Sequence, residues 1–308
     1  MQDIVIHGAS SFLGKHFIKR LLSEKINIIV IARQSTDLGL LNESSLVTIF
    51  RYKSGIEEVL NIYKPVGAQP VFYEFSWHGV YGEQRNDPEQ LTTNIPLILA
   101  SVNFAKEINA KQWTGIGSQA EYGNLNKKIS EADVCTPTTL YGKSKLICSE
   151  ISSALCSSYG MEHSWLRLFS VFGPEDNHNW LIPYLIKDML INKPVNATKG
   201  EQSWDYLYID DVTEVLYKLI KGKGAGIANL GSGKSIKIKD LILKIKELTG
   251  SDSQINFGAI PYRDDQVMLM EADIQKLSES LNWIPRVSIE DGLKKTIKYF
   301  SEKTEQNN

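Results

Sequence analysis

Tyr141 and Lys145 stand four positions apart in TLYGKSKLICSE, a stretch that favours a helix. Helical residues at this spacing project from the same face, about one turn from each other. An ammonium close to a phenol favours the phenolate and brings the pKa of the phenol toward the working range, so the pair could transfer a proton. Isolated pairs of this kind are mostly structural, so a site needs support from further residues.

Ser118 supplies that support, because it follows an apolar run in GIGSQAEYG and lies at the predicted end of a strand. Open α/β sheets bind their ligands beyond the carboxyl ends of the strands. A hydroxyl at such an end can hold a carbonyl oxygen beside the tyrosine. We therefore predict a catalytic site formed by Ser118, Tyr141 and Lys145.

A phosphate-binding loop is predicted near the start of the chain, where the strand-like IVIH runs into GASSFLG. Backbone N–H groups at the start of a helix near Phe12 would stabilise a pyrophosphate. Ser11 stands where the dinucleotide fingerprint has its middle glycine, and its hydroxyl could donate to a phosphate oxygen. A simple turn between a strand and a helix is the alternative. The predicted cofactor-binding residues of this loop are Gly8, Ser10, Ser11, Phe12, Leu13 and Gly14.

Arg33 bears on which dinucleotide would bind. The second apolar run ends in VIARQS, without the acid that usually holds the adenosine ribose in NAD enzymes. A guanidinium can clamp a ribose 2′-phosphate through two charge-assisted hydrogen bonds. Arg33 therefore favours NADP(H), with NAD(H) as the alternative cofactor and an ordinary solvated arginine as the alternative role.

Apolar runs of strand length alternate with helical patterns over roughly the first 170 residues, which predicts a parallel sheet with helices on both faces. After Gly173 and Pro174 the elements become shorter. We predict a doubly wound Rossmann domain over residues 1–172. Residues 173–308 are predicted to form mainly a smaller α/β substrate-binding lobe, with some segments returning to the Rossmann core.

Composition restricts the class of protein. The 308 residues carry a net charge of -2, with 34 basic and 36 acidic residues and no long charged runs, so neither nucleic acid nor a membrane surface is an expected partner. The three cysteines lack CxxC spacing, which favours a reducing cytoplasm and argues against a metal site. We expect no signal peptide and no membrane span.

Nearly the whole chain resembles the extended short-chain dehydrogenase/reductases that act on nucleotide sugars. The resemblance implies that Tyr141 is the acid/base, that Lys145 lowers its pKa and binds the nicotinamide ribose, and that Ser118 hydrogen-bonds the reacting oxygen. It also implies that Phe75 and Ser76 pass beneath the cofactor. The motifs that carry it are GASSFLG, TTNIPLILASVNFAKE, GSQAEYG, YGKSK, LRLFSVFGPED, WDYLYIDDV, NLGSG and NWIPRVSIEDGLKKTI.

The same resemblance implies a homodimer, in which the helices around residues 94–107 and 141–159 form a four-helix contact. It also suggests where a nucleotide-sugar substrate would lie. Some positions depart from the family, since Ser170 replaces a common asparagine and Trp204 a common diphosphate-binding arginine, whereas Arg263 matches a second such arginine. The predicted substrate-binding residues are Trp77, Gln119, Ser170, Trp204 and Arg263.

Two further residues could be mistaken for acid/base groups. Glu121 follows Ser118, but dehydratase relatives have adjacent Asp and Glu where this chain has Gln119 and Ala120, which argues against 4,6-dehydration. The sequence shows no positioned partner for His78, and Tyr141 already fills the acid/base role.

The expected function is the NADPH-dependent reduction of a nucleotide-linked 4-keto-6-deoxyhexose for bacterial surface polysaccharides. Arg33 favours reduction, because a reductase draws on NADPH. Two alternatives stay open. One is a 4-epimerase that retains its cofactor, and the other is a non-catalytic protein that binds NADP(H).

Overall fold

The computed structural model describes residues 2–39, 41, 44–263 and 266–306. In this part of the chain, strands and helices alternate over the N-terminal half, and three short 3-10 helices lie at Ile56–Asn61, Gly82–Asn86 and Gln119–Glu121. The strands are β1 (Gln2–His7), β2 (Ile28–Arg33), β3 (Val47–Tyr52), β4 (Ala68–Glu74), β5 (Gln112–Ser118), β6 (Lys127–Ile129), β7 (Glu162–Leu168), β8 (Ser170–Phe172), β9 (Val195–Ala197), β10 (Ser203–Tyr208), β11 (Gly226–Leu230), β12 (Ser235–Lys237), β13 (Ile255–Phe257) and β14 (Leu269–Ala272). The helices are α1 (Phe12–Ser23), α2 (Glu89–Thr92), α3 (Asn94–Glu107), α4 (Leu140–Ser158), α5 (Leu181–Leu190), α6 (Ile209–Lys221), α7 (Ile238–Thr249), α8 (Gln275–Leu281) and α9 (Ile289–Gln306).

The main sheet contains seven strands in the order β11-β7-β5-β4-β1-β2-β3, and every pairing in it is parallel. The strand order reverses at β1, which lies between β2 and β4. Ligands of open α/β sheets bind beyond the carboxyl ends of the strands at such a reversal. The predicted parallel sheet with helices on both faces is confirmed.

The sheet is buried on both faces because successive side chains of each strand point to opposite sides. In β1, Ile4 and Ile6 pack into the core that contains Phe17 of α1. Val5, between them, packs into a second core with Val102 of α3. The near-continuous apolar run of β1 follows from this double burial.

A second sheet has the order β12-β10-β14-β6, with β8 paired to β10, and β9 and β13 form a separate pair. The apolar run HSWLRLFSVFG divides into β7 in the main sheet and β8 in the second sheet. Buried Phe169 lies between these strands.

Strands cross the predicted domain boundary in both directions. β6 and β8 precede residue 173 and join the second sheet, whereas β11 follows it and joins the main sheet. β11 therefore lies in the main sheet, although it belongs to the predicted smaller lobe by its position in the chain. The division at residue 172 itself stays a prediction.

No helix in the described ranges is both long enough and apolar enough to span a membrane. The same ranges contain no cluster of three or more histidine, cysteine or acidic side chains that could hold a metal ion.

Candidate active site

A cavity of about 710 Å³ lies beyond the carboxyl ends of the central strands, and residues of the second sheet complete its wall. It brings together most of the predicted site residues. Gly8, Ser10, Gly14 and Arg33 do not line it. The predicted residues that do are Ser11, Phe12, Leu13, Phe75, Ser76, Trp77, Ser118, Gln119, Tyr141, Lys145, Ser170, Trp204 and Arg263.

Gly8 and Gly14 allow the loop after β1 to lie close to its neighbours. Gly8 has φ of 85°, and a Cβ on it would lie 2.5 Å from the backbone nitrogen of Ser76. A Cβ on Gly14 would collide with the carbonyl oxygen of Gly8. Both positions therefore need glycine, for the turn and for the approach of α1 to the strand.

The Ser11 hydroxyl caps α1. It accepts from the backbone N–H of Gly14 at 3.0 Å and donates to the carbonyl oxygen of Gly8 at 2.8 Å. Its proton is therefore engaged within the loop, which differs from the suggestion that it donates to phosphate. Serine is favoured at this position because its oxygen satisfies an N–H group in the first turn of the helix.

The Tyr141 side chain lies in the cavity at the first turn of α4, which Thr139 caps by accepting from the backbone N–H of Gly142 at 3.1 Å. Its phenol is hydrogen-bonded to Ser118. Burial raises the pKa of Tyr141, and the charge of Arg85 and the hydrogen bond with Ser118 oppose that rise. The strand end and the helix thus bring a hydroxyl pair to the cavity, as their positions in the sequence predicted.

Lys145 lies one turn further along α4 and is buried. Its Nζ donates to the carbonyl oxygen of Ile116 at 2.6 Å and lies 3.4 Å from the centroid of the Trp77 ring. The same Nζ is 5.8 Å from the centroid of the Tyr141 ring. Burial lowers the pKa of Lys145, because an ammonium is poorly solvated in the protein interior.

Trp77 packs beside the catalytic candidates. Its ring meets the ring of Tyr141 edge-on, with centroids 6.0 Å apart, and its Nε1 donates to the side-chain oxygen of Gln90 at 3.1 Å. The predicted substrate contact stays a prediction. In the structure described, the indole shields the ammonium of Lys145.

Arg85 is a cavity residue that sequence reasoning missed. It lies in the 3-10 helix Gly82–Asn86, and its Cζ is 4.4 Å from the centroid of the Tyr141 ring. The sequence around it, GEQRNDP, is an ordinary polar loop. Nothing in that spacing points to the tyrosine more than fifty residues later.

Glu121 and His78 have structural partners. Glu121 is fully buried and accepts from Arg167 Nε at 2.7 Å, from Trp165 Nε1 at 2.9 Å and from the Ser118 N–H at 2.8 Å. His78 lies on the surface with its Nε2 2.7 Å from an oxygen of Glu89, a partner that the sequence did not reveal. The ion pair is solvent-exposed, and His78 does not line the cavity.

A buried polar chain beneath the cavity was also missed. His7 Nδ1 is 2.8 Å from Glu74 Oε2, and His7 Nε2 is 2.9 Å from the hydroxyl of Tyr52. Glu74 Oε1 accepts from the backbone N–H of Ser76 at 2.8 Å. The chain therefore links the ends of β1, β3 and β4 to the cavity floor.

Asp176 follows β8 and lines the cavity from the other side. Its Oδ1 accepts from the backbone N–H of Asn177 at 2.7 Å, while its Oδ2 is buried without a hydrogen-bond partner in the described part of the chain. Burial raises the pKa of Asp176 to about 7.

The remaining predicted residues lie around this arrangement. Gln119, Ser170, Trp204 and Arg263 line the cavity, and the indole N–H of Trp204 donates to the carbonyl oxygen of Val267 at 3.0 Å. Arg33 is exposed at the carboxyl end of β2, outside the cavity. Their contacts with a ligand stay predictions.

Comparison with known proteins gives a consistent result. Residues 4–231 match the model of the NAD dependent epimerase/dehydratase family. The chain is 30% identical over 306 residues to a CDP-abequose synthase from Salmonella muenchen, with 96% of this chain and 97% of that protein covered. It is 26% identical to a UDP-glucuronate 4-epimerase from Thermodesulfobacterium geofontis, covering 98% and 97%. A UDP-glucuronic acid 4-epimerase from Bacillus cereus, solved in complex with NAD, has the same fold with a TM-score of 0.83, at 23% identity and with 98% and 99% covered.

Proposed function

The chain belongs to the NAD-dependent epimerase/dehydratase family, and we propose that it reduces the 4-keto group of a nucleotide-linked 4-keto-6-deoxyhexose with NADPH. The observation that carries this proposal is the hydrogen-bonded pair of Ser118 and Tyr141 in a cavity at the strand ends. Such a pair can protonate an oxygen that gains charge. Similarity to a CDP-abequose synthase over nearly the full length supports a nucleotide-linked sugar as the substrate. The proposal includes a role in surface polysaccharide synthesis.

The loop after β1 fits a nicotinamide dinucleotide, because Gly8 lets the turn lie against Ser76 and Gly14 lets α1 approach the turn, which brings the start of α1 to the cavity. The backbone N–H groups of Phe12 and Leu13, in the first turn of α1, would hold the pyrophosphate. When bound, the reduced nicotinamide supplies the hydride for carbon 4 of the sugar. Phe75, Ser76 and Lys145 would lie along the same ligand.

The proton transfer is assigned to the chain itself. Tyr141 donates its phenolic proton to the sugar oxygen as that oxygen gains negative charge, and Ser118 hydrogen-bonds the same oxygen. Lys145 carries positive charge on the same helical face. Trp77 and the buried position of Tyr141 keep water from the reacting oxygen.

The substrate would extend from this pair toward the second sheet. Arg263 is proposed to meet the negatively charged diphosphate, and Gln119, Ser170 and Trp204 to contact the sugar or the nucleotide. All four line the same cavity as Tyr141, which supports their assignment to one substrate.

A 4-epimerase is the second candidate, favoured by the similarity to a UDP-glucuronate 4-epimerase. An epimerase oxidises and reduces the same sugar, so it would be purified with bound cofactor and would need none added. A non-catalytic protein that binds NADP(H) is the third, and would turn over no keto sugar. Arg33, in place of an acid at the end of β2, supports the NADPH-dependent reductase.

The test is NADPH oxidation with a panel of nucleotide-linked 4-keto sugars. Tyr141→Phe should lower kcat by about 10²- to 10⁴-fold, because it removes the general acid while leaving the ring in place. Tyr217→Phe, outside the cavity on α6, is the matched control and should retain the wild-type rate. Full activity of Tyr141→Phe would rule out the proposed mechanism.

We further propose that two copies associate in the cytoplasm through α3 and α4. These helices pack side by side, and Ile147 on α4 is 39% exposed, so it offers an apolar side chain to a second copy. Light scattering should give the mass of a dimer, and Ile147→Glu should shift it to that of a monomer. A monomeric wild-type protein at micromolar concentration would contradict the proposal.

A further inference from the structure

The ring of Tyr141 has a cation over it that is not the lysine of its own helix. Arg85 Cζ lies 4.4 Å from the ring centroid, whereas Lys145 Nζ lies 5.8 Å from it. Arg85 reaches the tyrosine from the segment between β4 and α2. The two cations therefore approach Tyr141 from separate parts of the fold.

Lys145 has other contacts that hold it away from the phenol. Its Nζ donates to the carbonyl oxygen of Ile116 and lies against the ring of Trp77. Burial also lowers the pKa of Lys145, so its charge is the more easily lost as the pH rises. An arginine keeps its charge throughout the working range.

The other groups near Tyr141 do not replace this charge. Ser118, from the end of β5, hydrogen-bonds the phenol but is neutral. Glu121, in the 3-10 helix after β5, is negative and disfavours a phenolate, although its own charge is paired with Arg167 of β7. Asp176 and Arg263 also line the cavity, and Glu74 lies on its floor.

We propose that Arg85 is a positioning residue that stabilises the Tyr141 phenolate by placing a permanent positive charge over its ring. The inference rests on the proposed function only in taking Tyr141 as the acid/base. A phenolate carries its charge partly on the ring, so a cation over the face stabilises it more than it stabilises the neutral phenol. Of the groups that lower the pKa of Tyr141, Arg85 has the largest effect.

The first test observes the phenol directly and needs no substrate. Ring-fluorinated tyrosine, whose phenol is more acidic, would be incorporated into the full-length chain, and the Tyr141 signal in the fluorine NMR spectrum assigned by its loss in Tyr141→Phe. Arg85→Met should raise the apparent pKa at this signal by about 1 unit or more, as expected for loss of an opposite charge within 4–6 Å. Arg85→Lys should restore part of the shift.

The second test uses the pH dependence of turnover. In the reducing direction Tyr141 must be protonated, so raising its pKa moves the high-pH limit of kcat to higher pH. In the oxidising direction Tyr141 must be ionised, so the low-pH limit also moves to higher pH. Arg85→Met should therefore shift both limits in the same direction by the same amount.

Lys143→Met is the matched control, because Lys143 is a cation on α4 two positions from Tyr141 but is exposed and outside the cavity. It should leave the NMR titration and both pH limits unchanged. If Arg85→Met raises KM but leaves the Tyr141 titration at its wild-type position, Arg85 is a substrate contact and the inference is wrong. A shifted titration in a protein that turns over no 4-keto sugar would support the role of Arg85 and refute the proposed function instead.

Discussion

His7 and Glu74 form a buried pair across β1 and β4, with Nδ1 and Oε2 2.8 Å apart, at the point where the strand order reverses. Because the two residues are register partners in a parallel pairing, their side chains leave the sheet at the same level. The second oxygen of Glu74 accepts from the backbone N–H of Ser76. The pair therefore fixes the start of the segment that lies beneath Gly8.

Glu74→Gln should destabilise the protein by about 1–3 kcal/mol, because the carboxamide replaces one of the two carboxylate oxygens with an NH2 group, which disturbs the contact with either His7 Nδ1 or the Ser76 N–H. Affinity for NADP(H) should fall as well, since Ser76 lies on the cavity floor. Urea unfolding and a cofactor titration measure the two effects. Glu57→Gln, at an exposed position, is the control, and equal unfolding midpoints for the two variants would contradict the assignment.

Substitution of Ser11 separates helix capping from phosphate binding. Ser11→Ala should cost about 1 kcal/mol of stability and Ser11→Gly only a few tenths, since glycine is a fair N-cap and alanine a poor one. Because the hydroxyl is engaged with Gly8 and Gly14, Ser11→Gly should leave cofactor affinity nearly unchanged. A large loss of affinity in that variant, measured by titration, would mean that the hydroxyl binds phosphate after all.

Arg33→Asp should weaken NADP(H) binding by about 10- to 100-fold, the effect expected when one or two charge-assisted hydrogen bonds are lost. The variant should change NAD(H) binding far less. The carbonyl of Arg33 accepts from Arg51 at 3.2 Å, so the backbone should keep its place in the variant. Titration with both cofactors measures the preference. Lys64→Asp makes the same charge change at an exposed site and controls for the general effect of charge on cofactor binding. An equal loss of NADP(H) affinity in both variants would argue against a 2′-phosphate contact.

Arg167→Met should destabilise the protein by about 3–5 kcal/mol, because it leaves the fully buried carboxylate of Glu121 without its cation. Adding Glu121→Gln to that variant should recover a large part of the loss. A double-mutant cycle by urea unfolding gives the coupling. Strictly additive effects would show that the buried pair contributes no interaction of its own.

Asp176 gives a prediction for pH. Its pKa is raised to about 7 in the folded protein, above its ordinary value of 3.8. The folded state therefore binds the proton more tightly, and stability falls as the pH rises from about 4 through 7. Asp176→Asn should raise stability by roughly 1–3 kcal/mol at pH of about 8 and little at pH of about 4. Asp252→Asn, on the surface, should leave stability unchanged at both pH values. If Asp176→Asn raised stability equally at all pH values, the buried charge would not be the cause.

Much of the fold follows from local patterns. The alternation of apolar runs with helical periodicity predicted the central strands because strands buried on both faces need continuous apolar side chains. Ser118 and Tyr141 were predicted for a related reason. One stands at a strand end and the other on a helix with its lysine one turn away, and both positions can be recognised within a few residues.

The residues that were missed come together only in three dimensions. His7, Tyr52 and Glu74 stand at the ends of β1, β3 and β4, which lie within four successive strands of the sheet but are separated in the chain. No spacing relates them, and each alone has an ordinary sequence context. Arg85 depends on the path of the loop after β4, which no periodic pattern specifies. The capping role of Ser11 could have been predicted, since serine directly before a predicted helix start is a common N-cap.

The exchange of strands between the two sheets bears on attempts to alter this protein by recombination. The chain passes from β5 to β6, back to β7, out again to β8, and later from β10 to β11 and on to β12, alternating between the sheets at each step. The segments that would bind the sugar are therefore not contiguous in the chain and cannot be exchanged as one piece. A chimera with a relative of different specificity would need a junction at each point where the chain changes sheet. A single junction near residue 172 would pair β7 with a β11 taken from the other protein.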